Sequence, residues 1–260
     1  MCLILFAWHA HPDYPLILAG NRDEFYSRPT APADFWDDHP QILAGRDLEQ
    51  GGTWLGIHRS GRLAAVTNYR DGYAARRGTR SRGELVSGFL MSDLAPEEYL
   101  REVHGQRTAY DGFNLLVGTP DGLFSYSNRS ERLAEVEPGV HGLSNHLLDS
   151  PWPKVERGMA ALRQLRNSNP EVLIERLLAV LTDSAPAPDH TLPDTGIDLE
   201  RERLLSPAFI ATPNYGTRCS TILLFDTTGR VSFTERTHPT EHDTEQTRRY
   251  AFTTTVPITG

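Results

Sequence analysis

Apolar residues in this chain come in short runs whose period changes from place to place. The run Cys2–Trp8 is apolar on both faces of an extended strand. Leu16–Arg22 is apolar over most of its length and follows the turn His9-Ala10-His11-Pro12-Asp13-Tyr14-Pro15. Strands of this kind need cover on both sides, unlike half-exposed strands in which polar and apolar residues alternate. A second hairpin is predicted at Thr53–His58 and Leu63–Asn68, with Ser60-Gly61 in its turn. Further strands are predicted at Phe113–Thr119, Leu123–Ser127, Cys219–Asp226 and Arg230–Thr237. Asp121-Gly122 and Thr228-Gly229 supply their turns.

Helical periodicity comes in pairs: Arg82–Asp93 with Pro96–Gly105, then Pro151–Asn167 with Pro170–Leu181. Ser150-Pro151 and Asn169-Pro170 each set a capping residue before a proline, which suits the first helical position because no N–H is needed there. The proline-rich stretch Asp183–Asp198 reads as a loop, placed to act as a lid over a site. Hairpins with helix pairs between them predict an α+β fold of antiparallel sheets layered with helices, as one domain over residues 1–260.

Composition narrows the function. With 38 % hydrophobic and 23 % charged residues in 260, the chain can bury a core without disulfides or a structural metal. A net charge of −8 argues against a nucleic-acid partner, and Arg76-Arg77-Gly78-Thr79-Arg80-Ser81-Arg82 reads as a solvated loop. The two cysteines form no CxxC pair and no zinc spacing, which points to a reducing compartment. The opening apolar run of seven residues is too short for a signal peptide or a membrane span. Cytoplasmic placement without a membrane span follows as the expectation.

Cys2 carries the candidate chemistry. A turn centred between Pro12 and Asp13 sets Cys2 opposite Asp23, Ile4 opposite Asn21 and Phe6 opposite Ala19, with a thiol beside a carboxylate. The expectation depends on that register, because a slip of one residue moves Asp23 to the other face. Removal of Met1, favoured by a small second residue, gives Cys2 a free α-amine with an ordinary pKa of about 7.7–8.0. One residue then supplies both nucleophile and general base, with Asp23 holding the amine and a nearby arginine lowering the thiol pKa. A weaker alternative is a zinc hydrolase using His9 and His11, since His9-Ala10-His11-Pro12-Asp13 approaches the HxHxDH run of metallo-β-lactamase-type enzymes. Tyr14 replaces the last histidine of that run and no later residues complete the ligand set, so no metal is expected.

The motifs Asn21-Arg22-Asp23-Glu24, Gly51-Gly52-Thr53-Trp54-Leu55-Gly56, Val66-Thr67-Asn68-Tyr69-Arg70, Gly142-Leu143-Ser144-Asn145 and Tyr215-Gly216-Thr217-Arg218-Cys219-Ser220-Thr221 follow Met1-Cys2 in that order. Together they resemble the NRDE family, also called the transport and Golgi organisation family, from Cys2 to about Asp226. That family is similar to the choloylglycine-hydrolase and penicillin-V-acylase branch of the N-terminal nucleophile hydrolases. The resemblance implies a four-layer αββα sandwich and cleavage of a linear amide through an acyl-enzyme. It implies Cys2 as nucleophile, Asp23 as its partner, Asn68 and Asn145 around the oxyanion, and Arg218 completing the polar cluster.

Asn21, Arg22 and His146 fall on the substrate side of that cluster. The acylases carry an arginine where this chain has Gly20; Arg22, two residues on, shares that strand face, and either it stands in for that arginine or the site lacks the charge. The family is also associated with haem mobilisation and with lipid or acyl-CoA homeostasis. The resemblance therefore implies an alternative, a non-catalytic protein that binds or traffics haem, an acyl lipid or acyl-CoA. No cofactor is expected, with haem as a ligand at most. The ten histidines include no CxxCH attachment motif, and His146, beside Asn145, is the first axial candidate.

Overall fold

The computed structural model describes residues 2–74, 78–165, 168–241 and 243–255. Met1, Arg76 and Arg77 of the basic run, and Asn167 at the predicted end of the third helix lie outside the described residues.

The strands are β1 (Cys2–Trp8), β2 (Leu16–Phe25), β3 (Thr30–Phe35), β4 (Ile42–Asp47), β5 (Leu55–His58), β6 (Leu63–Asn68), β7 (Phe113–Thr119), β8 (Gly122–Ser127), β9 (Leu133–Glu135), β10 (Gly139–Leu143), β11 (Tyr215–Phe225), β12 (Arg230–Thr237) and β13 (Gln246–Thr253). The helices are α1 (Gly83–Met91), α2 (Pro96–Gly105), α3 (Pro153–Gln164), α4 (Pro170–Leu181) and α5 (Leu199–Leu204). One antiparallel sheet runs β10-β1-β2-β11-β12-β13 and the other β3-β4-β5-β6-β7-β8-β9. Helices α3 and α4 cover the first sheet, while α1 and α2 cover the second, giving the expected αββα layers.

All seven residues of β1 are buried, which is why both of its faces are apolar. Cys2, Ile4, Phe6 and Trp8 join Leu16, Leu18, Trp54 and Val66 in a core that continues through the second sheet to Val86 and Phe89 of α1. Leu3, Leu5 and Ala7 face the other way, onto Val155 and Leu162 of α3 and Leu177 and Leu181 of α4. Leu3, Ile4, Leu5 and Phe6 have no exposed surface. At roughly 1.5–3 kcal/mol for each buried side chain, those four hold β1, and with it Cys2, firmly in place.

The register of the first hairpin differs from the expected one. Cys2 pairs with Arg22, Leu3 with Asn21, Ile4 with Gly20 and Phe6 with Leu18. The strands are joined by residues 9–15, an odd-numbered connection centred on Pro12. His9, at φ 45°, closes it by donating from its N–H to Pro15 O at 2.8 Å. One residue of difference turns Asp23 to the helix side of the sheet and brings Arg22 onto the face of the thiol.

Two helix details also depart from expectation. The third helix begins at Pro153 behind Trp152, and Ser150 does not cap it. Ser150 Oγ instead donates to Leu147 O at 2.7 Å. Asn169 does cap α4, its side chain accepting from the Val172 N–H. No helix among the described residues is long and apolar enough to cross a membrane.

A buried polar chain ties the first sheet to its helices. Asn21 Nδ2 donates to Leu181 O and to Ala208 O, each at 2.8 Å, and Ser220 Oγ donates to Asn21 Oδ1 at 2.6 Å. Ser220 has spent its proton, so it accepts from His238 Nε2–H at 2.8 Å. Burial holds the His238 pKa down at about 4, with Arg236 adding to the effect. The unfolded chain therefore binds more protons than the folded one between about 4 and 6.5, and stability is lost as pH falls through that window, by about 3 kcal/mol. His238→Gln should remove this part of the slope in urea unfolding measured at pH 7 and pH 4.5; an unchanged slope would show that His238 is not its source.

Candidate active site

The open end of β1 lies on the floor of a 540 Å³ cavity between the sheets. Across this floor stand Cys2 on β1, Arg22 on β2, Cys219 on β11 and Glu235 on β12. Arg22 is the pairing partner of both cysteines. The two thiols therefore belong to strands about 9–10 Å apart, two strand spacings, which is too far for a disulfide. Both cysteines are free.

Cys219 reaches this face through a β-bulge. The ladder between β2 and β11 shifts between Thr217 and Cys219. Thr217 turns to the helix side, where its Oγ1 donates to Asp23 Oδ1 at 2.7 Å. Without the extra residue, Cys219 would share that side, because side chains two apart on a strand point the same way. Arg218 is the inserted residue. It lines the cavity, but its guanidinium donates to Phe25 O and Arg28 O, each at 3.0 Å, and pairs with Asp243 at 2.7 Å. Arg218 thus fastens the 25–28 turn at the cavity wall.

Burial pushes the Cys2 thiol up, and the Asp23 carboxylate adds to this, while Arg22 and a hydrogen bond from the Asp23 N–H pull the other way. Asp23 therefore stays beside Cys2 through its backbone, although its carboxylate lies on the far side of the sheet. Burial raises Cys219 further, and its S–H donates to Glu235. Glu235 Oε1 also accepts from the Ala33 N–H at 2.6 Å, and burial raises this carboxyl as well. Arg22 makes one long contact, from Nη1 to Thr30 Oγ1 at 3.4 Å, and forms no ion pair with a described residue.

The second sheet supplies the opposite wall. Asn68, at the end of β6, lines the cavity, and its side-chain amide makes no hydrogen bond to another described residue. Asn145 stands behind it, fully buried and away from the cavity, donating from Nδ2 to Asn68 O at 2.9 Å. Ser144 Oγ donates to Cys2 O at 3.1 Å and so links this loop to β1. Thr53 and Trp54 complete the wall. They are set by Gly52, where a Cβ would stand 2.6 Å from the backbone of Gly83 and push the turn off the start of α1.

The cavity thus gathers Cys2, Asp23, Asn68, Arg22 and Arg218, but not Asn21, Asn145 or His146. Asn21 faces the helix layer. His146 bonds Ser150 Oγ through Nδ1 at 2.6 Å and packs between Tyr69 and Trp152. Nor does the stretch Asp183–Asp198 cover the site: none of it lines this cavity, and Thr195 and Asp194 are tied to Glu202 and Tyr73. His9 is exposed and His11 buried, and no three His, Cys, Asp or Glu side chains among the described residues come together to hold a metal.

Reading the sequence for chemistry passed over Glu235, Cys219 and a buried ionic cluster on the helix side of Cys2. Arg70 pairs with Glu202 at 2.6 Å, its guanidinium 4.9 Å from the Trp152 ring. Lys154 is buried beside them. A count of residue types held a signal for Lys154, because the chain contains no other lysine.

Two facing antiparallel sheets between helix layers, with a cysteine at the start of the first strand, define the fold of the N-terminal nucleophile hydrolases. The chain aligns over 100 % of its length with 100 % of a point variant of the conjugated bile acid hydrolase from Clostridium perfringens, at TM-score 0.52 and 10 % identity, which shows the shared fold. Residues 1–240 match the family Transport and Golgi organisation 2, and the chain belongs to that family. It is 43 % identical over 256 residues to the bovine Transport and Golgi organization protein 2 homolog, covering 91 % of this chain and 92 % of that one. To the human homolog it is 41 % identical over 274 residues, covering 97 % and 99 %.

Proposed function

We propose that the protein is a cysteine N-terminal nucleophile hydrolase that cleaves a linear amide once Met1 has been removed. The observation that carries this reading is Cys2 itself. It stands at the end of a fully buried strand on the floor of a 540 Å³ cavity, with Arg22 beside it and Asn68 on the facing wall. In the processed chain the Cys2 α-amine accepts the thiol proton as sulfur attacks the carbonyl carbon. The S–C bond forms, and charge on the carbonyl oxygen is met by N–H donors such as the Asn68 amide. The C–N bond then breaks, the amine leaves with the proton, and water cleaves the thioester to acid and free thiol.

Intact mass gives the first test, because the mature protein must lack Met1. An acyl analogue that alkylates thiols should then label Cys2. Retained Met1 with no label on Cys2 would overturn the reading.

Burial pushing the Cys2 thiol up favours a second reading, in which the cavity holds an acyl lipid, acyl-CoA or haem without cutting it. For haem, the described lining contains no histidine, leaving Cys2 and Cys219 as the soft ligands. A Soret shift on haem titration that is lost in the double variant Cys2→Ala/Cys219→Ala would support it.

A further inference from the structure

Arg22 is only 7 % exposed, yet it forms no ion pair with a described residue. Its one long contact, to Thr30 Oγ1, leaves most of the five guanidinium N–H groups without an acceptor among the described residues. A buried cation with no counter-ion is costly to keep. The other arginines that line the cavity are engaged. Arg28, Arg46, Arg80 and Arg218 pair with Asp47, Asp38, Glu84 and Asp243, and Arg82 donates to Gly112 O. Two carboxyls line the cavity from the same sheet as Arg22, and neither pairs with it. Glu235 accepts from the Ala33 N–H and the Cys219 S–H, and Glu24 accepts from the Phe25 N–H.

A second donor lies close to the first. The Trp54 indole reaches across from the second sheet and rests over Gly20, where a Cβ would stand 3.1 Å from ring atom Cη2. Gly20 and Arg22 are two positions apart on β2, about 6.5–7 Å along one face of the strand. Trp54 is 8 % exposed and lines the cavity, and its indole N–H donates to no described residue. Buried donors in folded chains nearly always find an acceptor. Here a guanidinium and an indole N–H share one cavity floor, the Asn68 amide faces them, and none of the three has a strong acceptor among the described residues.

We propose that this floor binds a carboxylate set next to the scissile amide of the substrate, with Arg22 as its counter-ion and the Trp54 indole N–H as a further donor; the amide, though not the anion site, rests on Cys2 being the functional nucleophile. One uncompensated positive charge calls for one negative charge. A carboxylate meets the flat fork of a guanidinium with two parallel hydrogen bonds. Cys2 and Arg22 are paired residues, which sets their Cβ atoms about 4.5–5.5 Å apart. An anion on the guanidinium therefore lies within a few bonds of a carbonyl that Cys2 Sγ can reach. The amides selected in this way carry an acid on the carbons beside the bond that breaks, on the amine side or the acyl side.

Calorimetric titration of the Cys2→Ala protein reads binding without cleavage. The probes are N-octanoylglycine, with its carboxylate on the amine side, N-octylsuccinamic acid, with it on the acyl side, and the neutral N-octanoylglycinamide. At least one acid should bind about tenfold tighter than the neutral amide, or better, the scale of one charge-assisted pair. Adding Arg22→Met should erase that preference, Arg22→Lys should keep part of it, and Trp54→Phe should weaken the acid severalfold. The acid that binds better tells which side of the amide carries the carboxylate. Equal affinities for all three probes, or no binding of any, overturn the proposal. So does a preference that survives Arg22→Met with native packing by near-ultraviolet circular dichroism. Preferred binding of an acid, with retained Met1 and no turnover in the unsubstituted protein, upholds the carboxylate site and sinks the hydrolase reading. Turnover of the neutral amide as fast as of either acid does the reverse.

Discussion

On the proposed hydrolase function, Cys2→Ala should lower amide turnover by a factor of about 10³ or more, the scale on which removal of a covalent nucleophile is felt. The effect must belong to Cys2 and not to the second thiol on the same cavity floor. Cys219 cannot take its place, although it faces the same Arg22 across one strand spacing. Its S–H is committed to Glu235, burial raises it well above the ordinary thiol value, and the Glu235 charge adds to that rise. It also lies inside a strand, where its nitrogen is a peptide amide and cannot serve as a base. Cys2 in the processed chain has a base one carbon away from the thiol-bearing atom. An acyl analogue should therefore modify one position, found by peptide mass on Cys2, and still do so in Cys219→Ser. Cys2→Ser keeps the amine but presents a hydroxyl, far less ionised than a thiol, and should also lose nearly all turnover. Activity that survives Cys2→Ala would show that the amide-cleaving group lies elsewhere.

The strands that carry the site could be read from the sequence, and those that frame it could not. β1, β6, β7, β12 and the helices α2 and α4 fall where hydrophobic periodicity predicts them, because each buries an apolar face. β3, β9, β10 and β13 went unpredicted, and all four are the outer strands of their sheets. Sequences such as Thr-Ala-Pro-Ala-Asp-Phe and Gln-Thr-Arg-Arg-Tyr-Ala-Phe-Thr are what edge strands favour: polar, charged or proline-bearing, resisting pairing with another chain. The six-residue α5, under two turns long, was missed as well, as was β4.

Within the site, the order of motifs identified Cys2, Asp23, Arg22 and Asn68, but not their faces. Whether Asp23 or Arg22 shares the side of the thiol depends on the parity of a seven-residue turn, and the placing of Cys219 depends on one bulged residue. Neither feature leaves a hydrophobic signature. Asn145 was expected at the cavity from the family resemblance and His146 from its place beside Asn145, yet neither lines it: Asn145 is buried behind Asn68, and His146 bonds Ser150. Side chains are sorted between cavity and interior by loop geometry, which residue spacing does not report.

Asn21→Leu, which keeps the branched outline of the side chain, should destabilise the fold by about 3–5 kcal/mol, and Asn21→Asp by at least as much. Asn21 sits in the motif next to Arg22, and by adjacency it belongs with the substrate. Its surroundings assign it to the framework. It has no exposed surface, and both amide hydrogens are taken by carbonyls that end two separate segments, Leu181 at the close of α4 and Ala208 in the approach to β11. Leucine leaves both carbonyls buried without a donor and leaves the Ser220 hydroxyl with His238 alone, at about 1–3 kcal/mol for each carbonyl stranded. Aspartate keeps the shape but turns an oxygen toward the two carbonyls, so a charge is buried where two donors stood. Urea unfolding separates this from a role in binding: the framework assignment requires a lower midpoint with an unchanged slope. An Asn21→Leu variant that unfolds at the native midpoint yet binds substrate more weakly would return Asn21 to the cavity side. The same residue anchors α4 to the strand whose next positions are Arg22 and Asp23, so loosening it should also lower any amide turnover in proportion to the fraction unfolded.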